Sequence, residues 1–510
     1  MRLKAIGLGA VALASMAPSL CSPLWAQSAS PAKLAIENPV SEEALRQHIN
    51  ILASDEFEGR GPGTAGETKT IGYIAQQWAN AGLKGGLADG GWYDPVNLIE
   101  SHAAGGSLRF INKGKAVKLP EDSIIIRSRD AAVHLKKLPV VYAGFGVDAN
   151  GKVVADVAGK LALIRMDDPA FGDVKDLRSR RDAVAKAGAA AVFYIVGGEK
   201  APWDIYKRVY GETTTIPSRQ SAAAVDGIIR RDAAQALFAA NKVDWDKMIA
   251  ETVKPEFTGI AFTSKADLDA TTHIRTIKSH NVVGKIPGKL GADKGVIMFL
   301  GHWDHLGICR PEGAADRICN GAVDNASGIA VLIETAKRLA KNQPDRDIYF
   351  LATTAEEMGL LGAYAFADKP VVPLDKIVAA FNIDTIAVVP KGEKVAILGR
   401  GTTTLDADID AITRSRGREP ETGLDSNVMV NRQDGWALKA RGVPALMVSG
   451  SFADMKKLMA YLEGDYHQPE DQPGDKIILS GAAEDADLHV AIGKHFGSVT
   501  AWPGAAAPTQ

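Results

Sequence analysis

The sequence predicts an α/β fold, a mostly parallel sheet flanked by helices, with an inserted smaller β-rich module. Three observations lead there. After about residue 258, short apolar runs alternate with helical stretches, the pattern of a parallel sheet covered on both faces. Between about residues 120 and 257 the texture differs, and short strands with one or two helices suggest a compact module of its own. Glycine makes up 51 of the 510 residues, which suits a chain with many tight turns. At about 150 residues per domain, this length is roughly three domains, or one large domain with an insertion.

The chain is 46% hydrophobic and 24% charged, enough apolar material for a sizeable core. A disordered or fibrous protein is excluded. Lys plus Arg is 59 and Asp plus Glu is 61, a formal charge of -2. With no basic excess to neutralise phosphates, nucleic acid is not an expected partner.

The elements are taken in chain order. Met1-Arg2-Leu3-Lys4 is a short basic stretch, residues 5–20 are almost wholly apolar or small, and Leu24-Trp25-Ala26 ends in a small residue. Residues 1–26 therefore read as a secretory signal peptide cleaved near Ala26, which predicts a secreted or periplasmic protein. A retained anchor is the competing reading, but the apolar run is short for a span. Cys21 stands in a poor context for lipid attachment. No later segment approaches about 18 uninterrupted apolar residues, so no stable membrane span is expected. In an oxidising compartment Cys309 and Cys319 most simply form one disulfide. Thiolate ligation of a metal is the alternative, against which stand an unsuitable spacing and harder ligands nearby.

Residues 38–119 form a first part with two helices, one opened by Ser41-Glu42-Glu43 and one from Thr68 to Gly82, separated by the loop Glu58-Gly59-Arg60-Gly61-Pro62-Gly63. Within 120–257, strands are expected at 138–144, 159–165 and 191–196, with a helix at 180–187. Within 258–500, strands are expected at 295–300, 347–352, 376–381, 395–398 and 444–448, and a helix face at Ile329, Leu332, Ile333, Ala336 and Ala340. Met455, Leu458 and Met459 read as helix core.

In such sheets ligands bind beyond the carboxyl ends of the strands. Those ends carry His302 and Asp304, then Asp324, Glu356 and Glu357, Asp384, and further on His467. Each has an ordinary alternative: Asp324 as a helix N-cap, the glutamate pair as a solvated first turn, Asp384 as a turn residue, His467 as a surface histidine. All of them together on one rim need cations, since packing carboxylates into one site is costly otherwise. Imidazole nitrogens with carboxylate oxygens suit zinc or a similar divalent ion. Two ions sharing a bridging carboxylate would use all the positions. One residue of the Glu356-Glu357 pair can ligate while the other stays free as a general base. His305 reads as structural, and His102, His134 and His273 show no ligand-like context.

The stretches Gly301-His302-Trp303-Asp304, residues 321–328, residues 355–360, Asn382-Ile383-Asp384 and Tyr466-His467 resemble the M28 family of zinc-dependent exopeptidases, in the family's order. Glu58-Gly59-Arg60 and its helices also resemble members of that family, and 120–257 resembles the protease-associated (PA) domain that some members insert. The resemblance covers nearly all of the mature chain. It implies two zinc ions, one held by His302 and Asp384, the other by Glu357 and His467, with Asp324 bridging. It implies Glu356 as general base, Asp304 as the residue orienting His302, and Tyr466 as a hydrogen-bond donor to the oxyanion. It implies a peptide substrate and an aminopeptidase. A carboxypeptidase, a glutaminyl cyclase and a catalytically dead binding protein are the alternatives on the same fold. Where relatives carry a Ser-Asp-His-like stretch, this chain has Arg432-Gln433-Asp434-Gly435-Trp436, so specificity does not carry over. Oligomeric state is not readable from the chain.

Overall fold

The computed structural model describes residues 38–167, 177–196, 203–204, 206–207, 214–217 and 225–504; the leader, residues 1–26, lies outside them. Helix Glu42–Leu52 starts where Ser41 accepts a hydrogen bond from the Ala44 amide, and Glu42 and Glu43 suit the positive end of its dipole. It buries Leu45, Ile49 and Leu52. Helix Ala65–Asn80 begins three residues before Thr68. The cap lies upstream of the apolar periodicity: Thr64 accepts from the Glu67 amide while Glu67 accepts from Gly63.

Four parallel strands form the centre, in the order Ala445–Ser449, Ile377–Asn382, Val296–His302, Asp347–Thr353. Successive residues of Val296–His302 enter different cores. Ile297 and Phe299 face the core built with the helices Glu42–Leu52, Gly328–Leu339 and Leu479–Gly497; Met298 and Leu300 face the opposite one. This explains the uninterrupted apolar run, because a strand covered on both faces has no solvated side. Phe299 packs on Phe350 at 5.5 Å and Phe381 at 5.6 Å between ring centres. Full burial of each such ring stabilises by about 1.5–3 kcal/mol. The outer strand Ala396–Leu398 pairs antiparallel with Ala445–Ser449.

The region after residue 258 does not begin with strand–helix alternation. It begins with one strand, Ile260–Ile286, that pairs antiparallel with Tyr93–Asn112 and with Asp347–Thr353. Its outer face stays wet over much of its length, so few apolar residues fall in a row and the sequence shows no strand signal of the buried kind. This ribbon continues the sheet into the module, where Ala132–Tyr142, Leu161–Arg165, Ala191–Val196 and Val225–Arg230 run parallel. The module has apolar cores of its own. One of them takes Leu108 and Phe110 from before residue 120 and Phe262 to Ala270 from after 257, so its packing reaches beyond the 120–257 stretch. Helix Met455–Leu462 forms as its spacing predicts, but only Leu458 is buried; Met459 is 39% exposed. Among the described residues no helix is long and apolar enough to cross a membrane.

Candidate metal centre

Parallel strands end on the same side of the sheet, and that side carries the chemistry. His302 is the last residue of Val296–His302, with Asp304 two positions on. Glu356 and Glu357 follow Asp347–Thr353, and Asp384 follows Ile377–Asn382. Asp324 lies in the turn before helix Gly328–Leu339. His467, at φ 60°, comes from the loop after Met455–Leu462.

These side chains converge in two groups. The His302 Nε2 atom is 3.2 Å from Asp324 Oδ1 and 3.4 Å from Asp384 Oδ1. The His467 Nε2 atom is 3.3 Å from Asp324 Oδ2 and 2.8 Å from Glu357 Oε2. Asp324 thus turns one carboxylate oxygen to each group. One donor atom from each of His302, Asp324 and Glu357 lies within 4.8 Å of the others. The donors fit divalent ions: His467 Nε2 is buried and has no hydrogen-bond partner despite its contact with Glu357. Two lone-pair donors that approach without alignment for a hydrogen bond share a point that a cation can fill.

Surrounding residues hold the donors in place. The His302 Nδ1 atom is 3.1 Å from the Asp304 carbonyl, and Asp304 Oδ1 accepts from the Glu356 amide at 3.0 Å. His305, read from sequence as structural, lies inside the cluster; its Nδ1 is 2.6 Å from Glu357 Oε1 and fixes that carboxylate. Asp471 accepts from the amides of Val323 and Asp324 and from the Tyr461 hydroxyl. Asp434, from the departing segment, accepts from the Thr353 hydroxyl beside the site. The sequence offered no periodicity for these supports; their roles come from contacts across distant segments. Cys309 and Cys319 are bonded, with S–S 2.06 Å, and close the loop between His305 and Asp324.

Crowding of carboxyls shows in their proton affinities. Burial pushes Asp304 up to about 8, and the nearby Glu357 charge adds to this against the pull of His302. Burial also raises Glu356 well above the usual range, helped by Glu357, Asp434 and Asp384. Asp324 goes the other way: the His302 and His467 rings against its two oxygens outweigh its burial and hold it well below the ordinary value. Burial opposes protonation of His467, but Asp324 and Glu357 overcome this and bring it up to about 10. Burial and the same carboxylates keep the Tyr466 hydroxyl protonated; its ring stacks on His467 at 3.7 Å.

His302, Asp324, Glu356, Asp384 and Tyr466 line a cleft of about 60 Å³. The lining also includes the apolar Met429, Met447, Phe452, Leu458 and Leu462, with Arg432 and Gln433 beside them. Leu458 therefore lines the site rather than only filling a helix core.

The sequence model of Peptidase family M28 matches residues 281–492. A glutamate carboxypeptidase 2 homolog of Caenorhabditis elegans is 27% identical over 222 residues, 41% of this chain and 26% of that protein. The chain therefore spans about a quarter of the length of this relative. Aminopeptidase YwaD of Bacillus subtilis (strain 168) is 26% identical over 411 residues, 79% of this chain and 75% of that protein. The structure of an aminopeptidase from Aneurinibacillus sp. strain AM-1 overlays with a TM-score of 0.49 at 21% identity, covering 89% of this chain and 94% of that one. The matched region contains every residue of the two donor groups, so it is over residues 281–492 that the chain is similar to Peptidase family M28.

Proposed function

We propose that the chain is a di-zinc exopeptidase, an aminopeptidase that removes N-terminal residues from peptides. The observation that carries this reading is Asp324, whose two carboxylate oxygens face two separate donor groups. His302 and Asp384 would hold one ion, Glu357 and His467 the other, and Asp324 both. Zinc held there supplies Lewis acidity, which lowers the pKa of water and polarises a carbonyl oxygen. Glu356 is the general base. It lies on the cleft wall, and its raised proton affinity suits a group that takes a proton from the attacking water and returns it to the leaving amine. Tyr466, kept protonated, donates a hydrogen bond to the oxyanion as charge develops. Asp304 orients His302 through the short turn between them.

The aminopeptidase reading is supported by extent. The likeness to YwaD runs through most of the chain, the likeness to the carboxypeptidase homolog through less than half. We also propose that the module between the ribbon strands is a PA-like insertion, and that the protein is exported to the periplasm or beyond, where its disulfide persists. The test is direct. Metal analysis of the purified protein should give two zinc ions per chain, and a free N-terminus should be required for cleavage of a test peptide. One zinc per chain would remove the bridging role of Asp324. Cleavage of a peptide blocked at its N-terminus would turn the assignment to a carboxypeptidase.

A further inference from the structure

A buried cation lies behind the carboxylates. Arg60 is 1% exposed, and its guanidinium meets backbone carbonyls on every side. Its Nε donates to Trp303 at 2.9 Å; Nη1 donates to Leu52 at 2.8 Å and Asn320 at 2.5 Å; Nη2 donates to Gly321 at 2.8 Å and Asp324 at 3.5 Å. These are the loops that present His302 and Asp324, and the end of helix Glu42–Leu52. The Arg60 carbonyl in turn accepts from the His305 amide at 3.4 Å.

The chain goes to some strain to place this residue. Glu58, Gly59 and Arg60 are all left-handed, at φ 49°, 62° and 53°, a conformation disfavoured for the two non-glycine residues. At Gly59 a Cβ would strike the carbonyl oxygens of Cys319 and Gly307, so glycine lets the turn press against the disulfide loop. The guanidinium also lies within the field of Asp324, Asp471, Asp304 and Glu357; burial lowers its proton affinity to about 10, and these charges oppose the loss. A guanidinium is a cation at neutral pH.

We propose that Arg60 is a positioning residue for the metal centre: one planar, multi-donor cation that holds the His302 and Asp324 loops at their working separation. Lysine cannot replace it, because an ammonium is a point charge without the flat fork that spans several carbonyls. The proposal rests on the two-zinc reading, and its test separates the two.

Zinc affinity is measured by competition with a chromogenic chelator on the full-length protein, alongside circular dichroism and thermal unfolding. The variants are Arg60→Lys and, as a control, Arg346→Lys. Arg346 is also a buried carbonyl clasp, bonded to Lys294, Phe496 and Trp502 at the opposite end of the strands. The expected result is a folded Arg60→Lys protein that binds zinc about 10- to 100-fold more weakly than the parent. Arg346→Lys should lose thermal stability with zinc affinity unchanged. Parental zinc affinity in Arg60→Lys overturns the proposal. So does equal weakening in Arg346→Lys, or an Arg60→Lys chain that does not fold, since general stability would then account for the residue. A parent protein that binds no zinc overturns the metal reading, and the role of Arg60 falls with it.

Discussion

Adjacent in sequence, Glu356 and Glu357 are driven to opposite proton affinities. Burial and Asp324 push Glu357 up, but His305 and His467 outweigh them, so it stays a carboxylate. At Glu356 burial, with the charges of Glu357, Asp434 and Asp384, outweighs the pull of His302 and raises it. One is thereby suited to ligation and the other to moving a proton. Glu356→Gln keeps the shape and removes the proposed base. Its kcat should fall by about 10²- to 10⁴-fold while zinc content stays at the parental level, as read by steady-state kinetics with metal analysis. Near-parental turnover would remove Glu356 from the mechanism.

Two elements carry consequences of their own. The apolar part of the cleft lining draws on helix Met455–Leu462 and on Met429, from the segment that precedes Arg432-Gln433-Asp434. Such a lining favours an apolar side chain, at about 0.8 kcal/mol per buried methylene. Aminoacyl substrates bearing Leu, Met or Phe should exceed those bearing Asp or Gly by at least about tenfold in kcat/KM, and Met429→Lys should erode that margin. Equal rates across the series would show that this lining does not receive the substrate side chain. In helix Gly328–Leu339, Glu334 gathers His48, Lys337 and Arg338. Burial alone would raise its pKa, but these hydrogen bonds hold it far below the ordinary range. A depressed carboxylate contributes stability above its unfolded pKa, about 4.3, and loses it as pH falls through the folded value. Glu334→Gln should therefore cost about 1–3 kcal/mol at pH 7 and progressively less in acid, read as a difference in unfolding temperature that closes on acidification. A gap that is constant with pH would mean that the charge of Glu334 is not what stabilises.

Across the whole molecule, the donors come from separate segments spread between His302 and His467, so an ion that binds them binds only the folded chain. Zinc at a thousandfold excess over its Kd would contribute about 4 kcal/mol. Removal of metal with a chelator should lower the unfolding temperature, and added zinc should restore it. No change on chelation would argue that the carboxylates and imidazoles, with Arg60, balance one another unaided.

Some of this could be read from residues in order. The central strands were legible because burial on both faces leaves an unbroken apolar run, as at Val296–His302. Most donor residues were legible because they stand just past such a strand or at the mouth of a helix, where an apolar core no longer accounts for a carboxylate or an imidazole; His467, in a loop, was found through the resemblance of Tyr466-His467. The long strand Ile260–Ile286 escaped, since a ribbon wet on one face looks like ordinary surface. So did the clasp of Arg60, the hold of His305 on Glu357 and the place of Leu458 in the cleft. Local chemistry is written in neighbouring residues. Which carbonyl meets which guanidinium is set by how distant loops pack, and no periodicity along the chain records it.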